Sequence, residues 1–157
     1  MMVEFSTAIL QIAMSTFGSF GFSILYHIRG RKLVLAALGG GLSWALYLAL
    51  ASVLPGEPIR YFLCACFVAS YAEILARILK TPATTFLIPS MIPHIPGGSL
   101  YTTMRYALEK QWDLCLSQAF NTFKLALALA LGFVAVLMLF NVIGVLRSLK
   151  KKEATHP

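Results

Sequence analysis

Uncharged apolar runs long enough to cross a membrane alternate with short charged clusters along this chain. The runs Phe5–Tyr26, Leu33–Leu54 and Leu125–Leu146 contain no acidic or basic side chain. Each is longer than the roughly 20 residues that span a bilayer as an α-helix. A fourth run, Pro58–Leu79, is apolar except for a few charged side chains near its ends. The pattern predicts membrane-spanning helices at about residues 5–26, 33–54, 58–79 and 120–146.

Prolines and a Gly-Gly pair interrupt a further apolar segment, residues 80–101. A proline removes a backbone donor and clashes with the preceding helical turn. Unpaired backbone groups persist at membrane depth only where protein covers them or where they line a wet cavity. Transporters use broken helices of this kind to present backbone dipoles to a substrate. The pattern therefore predicts a broken span at about residues 81–101 and indicates transport.

The predicted substrate contacts are the backbone groups freed by these breaks and the hydroxyl groups near them. Carbonyl and N–H groups at a helix break suit a carboxylate together with an amino group or a proton. Exchange of Pro93 for alanine is expected to let the two half-helices fuse. The predicted substrate-binding residues are Thr84, Thr85, Pro89, Ser90, Pro93, Pro96, Gly97, Gly98 and Ser99.

Composition places the whole chain, residues 1–157, in one transmembrane domain. Hydrophobic residues make up 59% of it and charged residues 12%, with a mean hydropathy of +0.78. Soluble domains carry about 25% charged residues. Glu4 stands where a signal peptide would carry basic residues, so the first run is predicted to be a permanent span. The predicted fold class is an all-α integral membrane protein.

Basic residues form three clusters that predict the orientation: Arg29, Arg31 and Lys32, then Arg77 and Lys80, then Arg147 and Lys150–Lys152. Cytoplasmic loops of membrane proteins are rich in lysine and arginine. All three clusters are cytoplasmic only if residues 81–101 cross the bilayer. This gives about five spans in a bacterial cytoplasmic (inner) membrane, with the N-terminus outside and the C-terminus inside. The alternative is four spans with residues 81–101 as a re-entrant loop.

Between the broken segment and the last span, residues 101–119 are predicted to form an amphipathic helix at the outer surface. One helical face carries apolar side chains such as Met104, Leu108 and Trp112, and the other carries charged ones such as Arg105 and Asp113. This spacing is typical of an interfacial helix. A connecting helix packed on other loops is the alternative.

Small residues recur on the first two spans, at Ser15, Ser19 and Ser23 and again at Gly39–Gly41. Small side chains let membrane helices approach closely. The pattern predicts close packing within the chain, against the broken segment or against a partner subunit.

Glu73, Arg77 and His94 are ionisable residues within predicted spans. Such residues are costly in a bilayer and often functional. Glu73 and Arg77 are four residues apart, so they share a helical face and can form an ion pair. Glu73 is either a structural partner of Arg77 or a proton-coupling carboxylate. His94 has no carboxylate near it in the sequence and is expected to be a hydrogen-bonded structural histidine.

The sequence gives little support for an enzyme or for nucleic-acid binding. Cys64, Cys66 and Cys115 lack the spacing of metal ligands, so no metal and no cofactor are predicted. No serine-hydrolase motif is present. Positive-inside placement and attraction to anionic lipid account for the net charge of +7 without nucleic acid.

The run Ala72–Pro89 resembles the threonine/serine exporter family, and so do the later Pro96-Gly97-Gly98 and Tyr101–Met104. The resemblance is to the smaller, C-terminal type of domain in that family and covers nearly the whole chain. In this family the small domain is fused to a larger membrane domain or made as a separate chain. The resemblance implies a two-component exporter whose partner is a larger membrane subunit of the same family. The family's substrates include threonine, serine and dicarboxylates such as succinate.

The sequence thus predicts a subunit of a proton-coupled inner-membrane exporter of small carboxylate or amino-acid metabolites. A homo-oligomer is the other assembly under consideration. A passive channel and a non-transporting membrane scaffold subunit are the alternative functions.

Overall fold

The computed structural model describes the backbone of residues 2–153 and the side chains of residues 6–144. Its helices are α1 (Met2–Leu25), α2 (Arg31–Ala51), α3 (Glu57–Leu79), α4 (Thr84–Met91), a 3₁₀ turn (Ile92–His94), α5 (Gly97–Leu108) and α6 (Trp112–Glu153). No strand occurs between residues 2 and 153, and the predicted all-α membrane class is confirmed.

Four helical stretches are long and apolar enough to cross a membrane, and they match the four uninterrupted runs of the sequence. They are Ser6–Leu25, Arg31–Ala51, Glu57–Leu79 and Trp112–Gly144. The proline-rich segment contains no helix of that length, because α4, the 3₁₀ turn and α5 are separate elements.

Short connections and side-chain contacts together fix the relative directions of the first three long helices. Ser15 donates to the Gly40 carbonyl at 3.0 Å, which pairs the middle of α1 with the middle of α2. Tyr71 donates to the Leu35 carbonyl at 2.7 Å, which places the C-terminal half of α3 beside the start of α2. Helices α1, α2 and α3 therefore run antiparallel in succession.

Helix α6 runs parallel to α3. Leu125 and Leu129 pack with Tyr61 and Ala65 near the start of α3. Further along, the Arg77 guanidinium lies 4.7 Å from the centre of the Phe140 ring. The C-terminal part of α6 therefore leaves the bundle at the end where α3 finishes.

This arrangement gathers the first two basic clusters at one end of the bundle. The α1–α2 connection carries Arg29, Arg31 and Lys32, and the end of α3 carries Arg77 and Lys80. We call this the basic end and the opposite end the Glu57 end. The third cluster, Arg147 and Lys150–Lys152, has side chains outside the described residues.

The broken segment progresses along the bundle from the basic end toward the Glu57 end. Phe86 in α4 packs with Ala36 and Ala72. His94 lies 6.1 Å from the rings of both Tyr47 and Tyr61. The α2 residue that the broken segment contacts thus changes from Ala36 to Tyr47. The second is 11 residues (47 − 36) further along α2, a rise of about 16 Å along that helix.

The two halves of the segment also pack against different helices. Helix α4 contacts α2 and α3, whereas α5 packs on α6. A re-entrant loop would return to the end from which it started. Residues 84–99 thus run from the basic end toward the Glu57 end, and the choice between five crossings and a re-entrant loop stays a prediction.

The expectation of one amphipathic helix over residues 101–119 is corrected by the structure. Helix α5 ends at Leu108, and Lys110 adopts a left-handed backbone with φ of 56°. The Gln111 N–H donates to the Tyr106 carbonyl at 2.9 Å, the bond that closes a Schellman motif at a helix end. The chain therefore turns and forms a hairpin of α5 with the first turns of α6. Glycine usually occupies the left-handed position, and its absence here left no sequence signal.

The close packing predicted from small residues is confirmed for α2. A Cβ atom on Gly40 would lie 2.6 Å from the Ser19 Cβ, and one on Gly39 would lie 2.7 Å from the Tyr71 ring. The Gly39 atom would also overlap the Ser90 hydroxyl. Gly39 thus lets the broken segment approach α2, as one of the sequence interpretations proposed.

Candidate functional site

The helix break lies at Ile95 and Pro96. A proline disfavours helical backbone at the residue before it. Ile95 accordingly adopts extended backbone with ψ of 122°, and α5 begins at Gly97. Pro89 lies inside α4 and Pro93 inside the 3₁₀ turn, so neither of them ends the first half of the segment.

A cavity of about 450 Å³ opens beside this break at the Glu57 end. This volume is within the range of small-molecule sites, roughly 300–1,000 Å³. Five of the predicted site residues line it: Pro93, Pro96, Gly97, Gly98 and Ser99. The other lining residues are Trp44, Glu57, Tyr61, Ile95, Thr102, Gln118, Asn121 and Leu125. A larger cavity of about 580 Å³ is a groove on α6 alone, around Phe120, and has no second wall.

The start of α5 gives the cavity a positively polarised wall. The first N–H groups of a helix lack intrahelical acceptors and favour anions. Among the described residues, the Gly98 and Ser99 N–H groups make no backbone hydrogen bond outside the helices, whereas the neighbouring Gly97 and Leu100 N–H groups do. The Ser99 hydroxyl lies 2.9 Å from the Gln118 amide nitrogen and 2.7 Å from the Thr122 hydroxyl. These two contacts fix the start of α5 to α6.

Four predicted site residues lie outside the cavity. Pro89 and Ser90 are fully buried, and the Ser90 hydroxyl donates to the Ala36 carbonyl at 3.1 Å. Thr84 and Thr85 form the first turn of α4, near the basic end. In this structure Pro89 and Ser90 contribute to packing, and Thr84 and Thr85 begin α4. None of the four lines the cavity.

Glu73 and Arg77 are also remote from the cavity. Their side chains lie 3.7 Å apart, as the four-residue spacing predicted. Arg77 also donates to the Phe140 carbonyl at 3.4 Å, which links the pair to α6. Glu73 is 16 residues (73 − 57) beyond Glu57 on the same helix, about 24 Å along its axis.

Sequence reasoning missed the cavity wall formed by Trp44, Glu57, Tyr61, Gln118 and Asn121. A signal was present in the predicted topology. The positive-inside assignment places the end of the second span, the start of the third and the start of the last on one side. Polar residues at those three positions were therefore candidates to surround the break.

His94 lies behind the cavity wall in a cluster of aromatic rings. Its ring centre is 5.7 Å from that of Trp44, and its side chain is 1% exposed. The Ser43 carbonyl is near enough to interact with it, but no group bonds either ring nitrogen with good geometry. The expectation of a hydrogen-bonded histidine stays a prediction, with the Ser43 carbonyl as the neighbouring acceptor.

A multi-pass helical bundle with a cavity at a broken helix is the architecture of a membrane transporter. The family model described as "Threonine/Serine exporter, ThrE" matches residues 11–139. The chain belongs to the threonine/serine exporter family. No curated protein and no solved structure matches it.

Proposed function

We propose that this chain is one subunit of a two-component exporter that carries small carboxylate-bearing metabolites out of the bacterial cytoplasm. The observation that supports this best is the cavity where Pro96 breaks the helix. There the N–H groups of Gly98 and Ser99 can receive a carboxylate. Threonine, serine and dicarboxylates such as succinate all carry that group and fit the cavity.

The proposed partner is a larger membrane subunit of the same family. Transporters commonly combine two repeats of inverted topology. Five crossings are an odd number, so a similar partner inserted the opposite way would complete the pair. The cavity's lining comes from α2, α3, α6 and the broken segment, and the partner would close its open side. A homo-oligomer would use a second copy of the chain for the same purpose.

Proton coupling is proposed for Glu73. Its side chain is 19% exposed and lies within a membrane-spanning helix, where an ionisable group is costly. Proton uptake by Glu73 would release Arg77, which also contacts Phe140 on α6. This contact would transmit the change to the helix that forms one wall of the cavity.

The proposed function is tested by reconstituting the full chain in liposomes, alone and together with the large subunit that co-purifies with it. We expect transport of labelled threonine, serine or succinate against a gradient only with both subunits, driven by a pH difference. Glu73→Gln should reduce the pH-driven component and leave exchange of labelled substrate intact.

Three outcomes contradict parts of this proposal. Full export by the chain alone would exclude the two-component assembly. Equilibration without accumulation would indicate a channel. Unchanged export by the partner in the absence of this chain would indicate a scaffold.

We expect the Glu57 end to face outward and the basic end to face the cytoplasm. In a variant without Cys64, Cys66 and Cys115, a cysteine at Glu109 should react with an impermeant maleimide added outside intact cells. A cysteine at Lys80, which is also exposed, should react only after the membrane is opened. Both positions labelling from the same side would contradict five crossings.

A further inference from the structure

Glu57 contributes the only charged side chain among the described residues that line the cavity. The remaining lining groups are apolar, aromatic, hydroxyl or amide side chains and the backbone of the break. A lone carboxylate among uncharged lining groups attracts cationic ligand groups and repels anionic ones.

The Glu57 carboxylate retains most of its capacity to accept hydrogen bonds. Among the described residues, one side chain donates a hydrogen bond to it, the Tyr47 hydroxyl at 3.4 Å from one carboxylate oxygen. No lysine or arginine among the described residues lies within 4.0 Å of it. Glu57 therefore has room for a cationic ligand group.

The nearest basic residue on the same helix is directed elsewhere. Arg60 is one turn further along α3, and its guanidinium lies 5.1 Å from the centre of the Tyr47 ring. Tyr47 therefore contacts both side chains, while Glu57 and Arg60 form no ion pair. Glu57 therefore lines the cavity without an ion pair, and the Arg60 guanidinium shares Tyr47 as a neighbour.

The cavity thus has a carboxylate at the start of α3 and polarised N–H groups at the start of α5. We propose that Glu57 is the specificity-determining residue, which binds an ammonium group and so selects a zwitterionic α-amino acid over a dicarboxylate. The inference rests on the proposed function, because it assigns the substrate of the same cavity. Glu57 attracts the ammonium group, and Gly98 and Ser99 receive the carboxylate.

A dicarboxylate would be attracted at one end of this site and repelled at the other. One of its carboxylates would occupy the α5 terminus, and the other would approach Glu57. Like charges at close range disfavour binding, and such repulsion is a common source of specificity. Glu57 therefore acts by attraction toward one substrate class and by repulsion toward the other.

The test compares three probes with the full chain and its co-purified large subunit in liposomes. The probes are L-threonine, N-acetyl-L-threonine, which lacks the ammonium group, and succinate. We expect the wild-type protein to prefer L-threonine. Glu57→Gln should weaken the apparent affinity for L-threonine at least tenfold and improve that for succinate. The affinity for N-acetyl-L-threonine should not fall in the same variant.

Two further variants separate recognition from folding. Glu57→Asp keeps the charge and should retain the preference for L-threonine over succinate. Glu109→Gln removes an equivalent charge from the exposed α5–α6 turn, where Glu109 pairs with Arg105 at 3.6 Å, and should leave the preference unchanged. Abundance and melting temperature of all three variants are measured in detergent.

The outcomes distinguish this inference from the proposed function. Transport of L-threonine with an unchanged preference in Glu57→Gln would overturn the role of Glu57 and leave the exporter intact. An equal loss for all three probes would assign Glu57 a structural role only. A wild-type preference for succinate over L-threonine would also overturn the proposed role of Glu57. No wild-type transport of any probe would refute the proposed function and this inference together.

Discussion

Exchange of Pro96 for alanine should abolish export while leaving the protein abundant in the membrane. Pro96 holds Ile95 in extended backbone, which separates the 3₁₀ turn from α5. Alanine restores a backbone donor and is about 3 kcal/mol more favourable than proline in a helix interior. The two half-helices are then free to join, which would satisfy the N–H groups of Gly98 and Ser99 and remove the anion site.

The measurement is transport by the reconstituted pair, which should fall below about a tenth of the wild-type rate, a change of roughly 1.4 kcal/mol or more. Pro82→Ala is the matched control, because Pro82 is an exposed proline in the α3–α4 connection, outside the cavity. Full transport by Pro96→Ala at normal abundance would mean that the break is a packing kink. The sequence alone directs this test to Pro93, but the backbone places the break after the 3₁₀ turn that contains Pro93.

Exchange of Gly132 for alanine should strongly destabilise the bundle. A Cβ atom at this position would lie 2.6 Å from the Ala65 Cβ and 2.7 Å from the Phe62 carbonyl oxygen. The carbonyl belongs to the backbone of α3 and cannot rotate away. Overpacking of this kind costs roughly 1–3 kcal/mol, which exceeds the 0.5–1 kcal/mol that alanine gains over glycine in a helix.

Thermal unfolding in detergent measures this effect, and Gly144→Ala provides the control. Gly144 lies in the same helix but has no atom within 4 Å of an added Cβ. Its exchange should leave the melting temperature unchanged or raise it slightly. If Gly132→Ala and Gly144→Ala behave alike, α3 and α6 are not held at the short distance seen here.

The sequence predicted the long helices well because they are set by uninterrupted hydrophobicity. A break within residues 81–101 was also predictable, since a proline restricts the backbone of the residue before it regardless of tertiary context, but its place at Ile95 and Pro96 was not. What the sequence could not supply is the direction in which each side chain of the broken segment points. Ser90 and Ser99 are equally polar, yet one is buried against α2 and the other lines the cavity.

The sequence analysis did not single out Glu57, which lies between two predicted spans. Only the packing of α3 against α2 and the broken segment brings its carboxylate to the cavity wall. The turn at Lys110 was missed for a different reason. A left-handed helix end formed by lysine carries no glycine signature, so the apolar periodicity appeared continuous through it.

Helix α6 is longer than the hydrocarbon core of a bilayer is thick. At 42 residues this helix is about 63 Å long, whereas the hydrocarbon core is about 30 Å thick. Even a tilt of about 40°, near the upper limit for membrane helices, leaves about 18 Å of α6 beyond the core. Trp112 and Tyr101 are exposed on the hairpin of α5 and α6, and such side chains favour the headgroup layer. With the Glu57 end outward, the cavity at the base of this hairpin would discharge among lipid headgroups, whose charge would then influence the release of a charged metabolite.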